Sequence, residues 1–551
     1  MISDSDLLML ENLTYCLSKN NPAYVFGLKA IDACKTVGEY LNQFTDDILN
    51  KLDGQSNKTY DGENSGPEWA AMIRYLKTKK EIIELKIKEA TEKVICFVNP
   101  NEDGSAIVAF RGTNGGDEWK DNVEGLNQAD TKYQLEAYNY IEGLNYEHVT
   151  VVGHSKGGNK AQYVAIRCDK VDRCVSYDGQ GFSKEFIDKY SVEIDKNAHK
   201  ISCYSLSTDF VHILMFPIPG AEQFYMNGGD DVANVGENHS PDAAFNYYQD
   251  EDGKWHVRVD GNGNVDIDFT NEDPSMTMLH NFICFFMNNA SEEEMQQIVT
   301  LLGPLLKGIF GEGWSTDQIA QYLSKHEDEL ITFIAYFIKY IKLNDLQLED
   351  ILRVCESLGI DIYQLISKII EEKTGVKISE AKVRTILNKI FKFGLDQLTD
   401  GNEDVIIKWL INTIGGEGGQ YISSLWQKIE DKYNDINATN NTSNYTSKIR
   451  DYSSKVYNAL SEAVTKFSKN TLPDVSSWSG YSGENWFGKI MLSLAINIIN
   501  KYSEKVIKVN QMCERRIMVV FDDIMAVDTK YGKKFNSLIS TVKTVSAQIM
   551  Q

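Results

Sequence analysis

Residues 149–158 read Val-Thr-Val-Val-Gly-His-Ser-Lys-Gly-Gly, a short β-branched run that ends in Gly153-His154-Ser155-Lys156-Gly157 and flows into a helical stretch. A serine on a sharp strand-to-helix turn has its hydroxyl lifted above the sheet and its neighbours crowded together, so the positions two before and two after it favour glycine. The pattern therefore assigns Ser155 as a nucleophile. In that turn the amide of Lys156 points to where an oxyanion would form. Such a hydroxyl reacts only when a histidine accepts its proton, and the histidine in turn needs a carboxylate to fix its tautomer.

In the strand-turn-helix arrangement the order along the chain is serine, acid, histidine. Asp209 fits the acid, because it follows the strand-like run Ile201–Ser207. Asp178, after the preceding strand-like run, is the rival and reads as a turn residue shaping the site. Five of the eight histidines lie beyond Asp209. His212 is too close to the acid, His256 sits in an alternating Trp-His-Val-Arg-Val run, and His326 lies in a helical region. His239, in the polar stretch Gly-Glu-Asn-His-Ser-Pro-Asp, has the loop setting of a catalytic base, with His280 in reserve. His154 reads as a packing neighbour of the turn. A second oxyanion donor must come from an earlier loop, and Phe110-Arg111-Gly112-Thr113-Asn114-Gly115-Gly116 supplies one, with Thr113 the candidate through its amide and its hydroxyl.

The elements that must position these residues follow from periodicity. Apolar segments at 93–98, 105–110, 149–152, 173–177 and 200–206 alternate with helical spacing at 132–144, 156–168 and 183–190, which predicts a mostly parallel sheet with flanking helices over residues 1–290. From 291 to 433 the pattern becomes all-helical, with periods at 292–309, 315–342, 347–372, 379–395 and 405–414. The Asn/Thr/Ser tract 434–446 reads as a linker. Residues 447–551 are helical again, split by Leu472–Gly480, and carry a stripe from Ile517 to Ile549 in steps of four and three interrupted by Asp528. That pattern predicts a long hairpin.

At 551 residues the chain is too long for one core. A net charge of −23 leaves no basic stripe for a phosphate backbone, which argues against nucleic acid as a partner. Nine cysteines without paired spacing read as buried free thiols. The N-terminus has no basic-then-apolar signal peptide, and the apolar runs at 298–310, 330–342 and 487–499 are too interrupted to span a membrane. No cluster with metal-ligand spacing appears, so neither metal nor cofactor is expected. The apolar stretch Ile213–Tyr225 reads as core or as the wall of an acyl site.

Phe110-Arg111-Gly112-Thr113 with Trp119, Gly153-His154-Ser155-Lys156-Gly157-Gly158-Asn159, Tyr177-Asp178-Gly179, and Asp209-Phe210-Val211 with Pro217 and Pro219 together resemble the class 3 lipases, especially a bacterial branch carrying Gly-His-Ser-Lys-Gly-Gly-Asn. The resemblance covers about residues 5–250. It implies that residues 1–290 form an α/β hydrolase domain that cleaves lipid carboxylic esters, with Ser155 as nucleophile, Asp209 as acid, His239 as base and Thr113 as oxyanion donor. Where that branch often has a Trp-containing segment after the histidine, this chain has Ala243-Ala244-Phe245-Asn246. Trp478-Ser479-Gly480 between helical segments resembles the Trp-x-Gly hairpins of type VII secretion substrates, although the tail motif Tyr-x-x-x-Asp/Glu is absent. The combination resembles secreted lipase toxins. It implies glycerophospholipid at a membrane surface as substrate, small helical carrier proteins on the hairpin, an immunity protein on the lipase domain, and export without a cleavable signal peptide after folding in the cytoplasm. Two other readings fit the same residues: a secreted adaptor with an idle hydrolase domain, and a cytoplasmic housekeeping carboxylesterase.

Overall fold

A computed structural model describes residues 2–439 apart from 63, 102–103, 114–115, 229–236, 307, 309–312, 393–408 and 410. The predicted hairpin at 447–551, its Trp478-Ser479-Gly480 turn and most of the predicted linker lie outside the described residues. One compact unit comprises residues 1–218 and 223–436. The described helices from Pro274 to Lys392 belong to that unit.

The sheet has eight strands in the order β1 (Lys86–Ala90), β2 (Val94–Val98), β3 (Ser105–Phe110), β4 (His148–His154), β5 (Val171–Tyr177), β6 (Ile201–Leu206), β7 (Glu222–Met226) and β10 (Phe269–Thr270). The hairpin of β8 (Tyr247–Gln249) and β9 (Trp255–Val257) stands apart from it. The four strands β3 to β6 pair in parallel, as the alternation of strand and helix predicts. Antiparallel pairs lie at the two ends, β1 with β2 and β2 with β3 on one side, β7 with β10 on the other. Parallel strands are covered on both faces, which is why β4 and β5 are near-continuous apolar runs with Val151, Val152, Cys174 and Val175 fully buried. The edge strand β1, Lys-Ile-Lys-Glu-Ala, is mostly exposed and charged, as an unprotected edge should be.

The helix Asp4–Glu11 gave no strong periodic signal because nearly all of it is covered: Leu7, Leu8, Met9, Leu10 and Glu11 are all buried. It joins a core that includes Val152, Val175 and Tyr177 from the sheet. The long helical periods of the middle region resolve into shorter helices. The 315–342 period divides at His326 into Thr316–Lys325 and Glu327–Asn344. The 347–372 period divides at Leu358-Gly359-Ile360-Asp361, where Gly359 takes a positive φ and Asp361 caps the helix Ile362–Thr374 through Tyr363 and Gln364 amides. The last described helix, Gly416–Thr439, runs into the first residues of the polar tract. All eight described cysteines are free thiols, six of them buried. No helix among the described residues is long and apolar enough to cross a membrane.

Candidate active site

Ser155 sits between β4 and the helix Lys156–Arg167 at φ 56° and ψ −123°, one of four described non-glycine residues with positive φ. A side chain held in that region is strained, and the surrounding turn must over-determine it. It does so by close approach. A Cβ on Gly153 would lie 2.3 Å from the carbonyl of Gly157, and one on Gly157 would lie 2.0 Å from the Phe110 carbonyl oxygen. The turn is thus pressed against both its own helix and the end of β3, from which the Gly112-Thr113 loop departs. The Ser155 amide donates to the Tyr177 carbonyl at 2.8 Å, tying the turn to β5.

The structure brings three of the predicted residues into line. Ser155 Oγ and His239 Nε2 are 2.8 Å apart, and His239 Nδ1 lies 2.8 Å from Asp209 Oδ1. Asp209 is fully buried at the turn after β6, with its amide donating to the Leu206 carbonyl. Burial would push its carboxyl up, but the neighbouring His239 charge and hydrogen bonds from His212 and His239 hold it well below the usual carboxylate range. Its second oxygen, Oδ2, accepts from the His212 amide at 2.7 Å and lies 3.2 Å from His212 Nδ1.

The downstream side of the His239 loop is pinned. Tyr177 hydroxyl donates to the Ser240 carbonyl at 3.4 Å and accepts from the Ala244 amide at 3.1 Å, and Asn12 Nδ2 donates to the Pro241 carbonyl at 3.2 Å. His154 packs as a neighbour of the turn: its Nδ1 lies 2.8 Å from Tyr15 hydroxyl and its ring lies 4.7 Å from that of His239. Burial first, and then the His239 charge, hold His154 neutral.

Asp178 accepts from the Leu206 amide at 2.8 Å and adopts φ 45°, a turn role that also braces the strand carrying Asp209. Its carboxyl is pushed well up by burial and by the Asp209 charge. His256 bonds Asp250 at 2.9 Å and stacks on Tyr248 across the hairpin. His280 lies in the helix Pro274–Asn289 and is not hydrogen-bonded to Ser155 or Asp209. Ile213, Met215 and Ile218 of the apolar stretch are buried, with Ile213 against Met276 and Met215 in a cluster with Phe282 and Phe286.

Around the predicted oxyanion donors the partners are specific. Thr113 hydroxyl accepts from Asn122 Nδ2 at 3.0 Å, from the helix Gly116–Glu124. The Lys156 side chain is buried and turns away into that same helix, with Nζ in an ion pair 2.7 Å from Asp121 Oδ2. Asp121 also accepts from Thr131 hydroxyl at 2.6 Å and the Tyr133 amide at 3.1 Å. A second buried pair, Lys160 with Glu118 at 3.4 Å, lies one turn further along. Asn159 completes the motif: its Nδ2 donates to the Gln180 and Gly181 carbonyls, and its Oδ1 accepts from Gln134.

Sequence reasoning missed Tyr15, Asp121, Asn122 and Glu272, and set His212 aside as too near the acid. Two groups of possible ligands, His154 with Asp178 and His239, and Asp178 with Asp209 and His212, bring His and carboxylate atoms within 4.8 Å of one another. In the first, His239 is already bonded to Ser155 and Asp209, and in the second, Asp209 is already bonded to His239 and His212.

A parallel-cored α/β sheet with a serine at a strand-helix turn, backed by a histidine and a carboxylate in series, is an arrangement suited to acyl transfer. A family model described as Mbeg1-like, a lipase-like family, matches residues 80–208. The matched stretch runs from just before β1 through β6, so it includes Ser155 and ends one residue before Asp209. No curated protein and no solved structure matches this chain.

Proposed function

We propose that this chain is a serine hydrolase that cleaves the carboxylic esters of lipids, with glycerophospholipid as the substrate class. The observation that carries the reading is the unbroken series Ser155 Oγ, His239 and Asp209, with both links at 2.8 Å. In this reading Ser155 attacks the ester carbonyl while His239 Nε2 takes its proton. Asp209, already ionised, holds His239 Nδ1–H and steadies the imidazolium that forms. The amides of Lys156 and Thr113 stabilise the tetrahedral oxyanion, each donor contributing about 3 kcal/mol. His239 then protonates the leaving alcohol, and water releases the acyl group by the same steps in reverse.

The lipid substrate is supported by the match to a lipase-like family and by the resemblance to class 3 lipases. The toxin reading, with export by a type VII route and helical carriers on residues 447–551, rests on the resemblance of that segment alone. It predicts that the protein enters culture supernatant only where such an apparatus is intact.

The hydrolase reading is tested by fluorophosphonate labelling with peptide mapping, alongside hydrolysis of a p-nitrophenyl acyl ester series and of phosphatidylcholine vesicles. The expected label falls on Ser155, and Ser155→Ala loses both label and turnover. Equal release by the two proteins, or a label elsewhere, overturns the assignment.

A further inference from the structure

Asp209 is held from two sides, and the second side is another histidine. His212 Nδ1 faces Asp209 Oδ2 at 3.2 Å while its Nε2 faces Glu272 Oε1 at 3.0 Å. An ionised carboxylate only accepts, so a ring between two of them satisfies both only when both nitrogens carry hydrogen. The geometry therefore requires an imidazolium. Its side chain is 7% exposed, that of Asp209 is 0% and that of Glu272 is 14%, so water screens this chain of charges little. Glu272 is itself fixed, accepting from Thr277 hydroxyl at 2.7 Å, and the next amide, of Asp273, donates to the Ser207 carbonyl at 3.0 Å, two residues before the acid.

We propose that His212 is a positioning residue: as an imidazolium bridging Asp209 and Glu272, it holds the Asp209 carboxylate in the one rotamer that leaves Oδ1 for His239. The inference rests on the hydrolase reading for its consequence, but not for its geometry. Among the described residues, the other titratable groups beside the ring agree with it. Asp178 is pushed well up by burial and by Asp209, so it stays protonated. His280, on the helix Pro274–Asn289, is pushed down to about 4 by burial, with the His212 charge adding and Glu272 opposing, so it stays neutral. Tyr225 of β7 meets the ring edge-on at 5.7 Å. His212 is itself pushed up to about 10, where burial is outweighed by hydrogen bonds to Asp209 and Glu272 and by their charges.

The role differs from that of His239. The His212 amide already holds Oδ2 at 2.7 Å, and the ring adds a second, charged donor to that oxygen, so a rotation about Cβ–Cγ that took Oδ1 from His239 would break both bonds rather than one. Glu272 keeps the proton on His212, and its negative charge offsets the positive charge that would otherwise oppose the formation of a second imidazolium at His239.

The test uses the full chain labelled with 13C at histidine Cε1, in a Ser155→Ala background so that it does not depend on turnover. The resonance lost in His212→Asn should stay at its imidazolium position through pH 9. In His212→Ala, the His239 resonance should shift and change its titration. A His212 resonance that titrates near the ordinary histidine value of about 6.5, or a His239 resonance indifferent to both substitutions, overturns the proposal.

Turnover is read in the Ser155 protein. His212→Ala lowers kcat about tenfold with KM unchanged. His212→Asn, which keeps a donor toward Oδ2 without the charge, recovers most of kcat. It also moves the acid limb of the kcat/KM profile to higher pH, because a lost cation makes His239 easier to protonate. Unchanged kcat and profile in both variants would also overturn it. A Ser155 protein inert toward every ester while the resonances behave as stated would reject the hydrolase reading and leave the His212 assignment standing.

Discussion

The nucleophile and the acid–base pair reach the site by different means. Ser155 is held by backbone: glycines that admit no Cβ, a strained turn, and the buried Lys156–Asp121 and Lys160–Glu118 pairs that fasten its helix to the helix Gly116–Glu124. His239 and Asp209 are held by side chains on loops, through Tyr177, Asn12, His212 and Glu272. The first arrangement is set when the sheet forms, because its contacts are contacts of the core. The second is a set of hydrogen bonds laid over that core, and it can be altered without disturbing the fold. Catalytic failure should therefore come in two kinds, one with loss of stability and one without.

The largest effects separate these kinds. His239→Ala should lower kcat roughly 10⁴- to 10⁶-fold and move the thermal midpoint by no more than about 2–4 °C, the equivalent of about 1 kcal/mol. Its side chain is 19% exposed where that of Asp209 is 0%, so its removal empties a position that water reaches rather than one sealed in the core. Gly157→Ala should also abolish turnover, but with a clear loss of midpoint and cooperativity. The new methyl meets backbone at Phe110 that cannot yield without displacing β3. Calorimetry on both variants decides the matter, and equal midpoints would erase the distinction between a core-built and a loop-built half.

A smaller but still sizeable effect tests whether the buried ion pairs belong to the core. Lys156→Met leaves the Asp121 carboxylate at a site that is only 2% exposed, and breaking one partner of such a pair costs about 3–5 kcal/mol. Lys156→Met combined with Asp121→Asn removes both charges while keeping an acceptor for Thr131 and Tyr133, and should regain part of that loss. The exposed pair Lys80–Glu84, broken in the same way, should leave the denaturation midpoint where it was. Burial pushes the Lys156 ammonium down against the pull of Asp121, so enclosure penalises each charge and the two tolerate it only together. A Lys156→Met protein as stable as the parent would mean that the turn is secured by its glycines alone.

The same division explains what the sequence made legible. The turn at Ser155 was readable because its chemistry is local: a β-branched run, two spaced glycines and a helix occupy adjacent positions, and steric demand ties them together. Asp209 was readable because acids in such sheets follow a strand end, and β6 announces itself by its residues. His239 is reached by elimination among five histidines and from its polar surroundings, and in the structure its ring stands between Ser155 and Asp209. What was not legible is contact between distant segments. Tyr15 meets His154 across 139 positions, and Glu272 meets His212 across 60. Neither partner has a local pattern, since a single tyrosine or glutamate is unremarkable until the fold supplies its neighbour. His212 was set aside for standing three residues from the acid, yet that spacing is what lets its amide and its ring grip the same oxygen. The edge strands β1 and β10 carry no such mark for the opposite reason: β1 is charged and mostly exposed and β10 is two exposed residues long, so no apolar run announces them.

The smallest predicted effect asks whether the loop carrying Thr113 belongs with the built half or the assembled half. Asn122 Nδ2 donates to the Thr113 hydroxyl, which occupies one lone pair of that oxygen and leaves its hydrogen to be given elsewhere. If that hydrogen supplements the Thr113 amide at the oxyanion, the hydroxyl needs Asn122 to aim it. Asn122→Ala should then lower kcat by about fivefold, the worth of roughly 1 kcal/mol for a neutral hydrogen bond, with KM unchanged. Thr113→Val removes the hydroxyl but keeps the amide, and should cost the same or somewhat more. The decisive protein is the double variant. Two residues acting through one hydrogen are not additive, so Thr113→Val with Asn122→Ala should be no slower than Thr113→Val alone. Losses that simply multiply would show Asn122 bracing its own helix, and would leave the oxyanion to backbone amides, which belong to the half of the site that the sheet itself constructs.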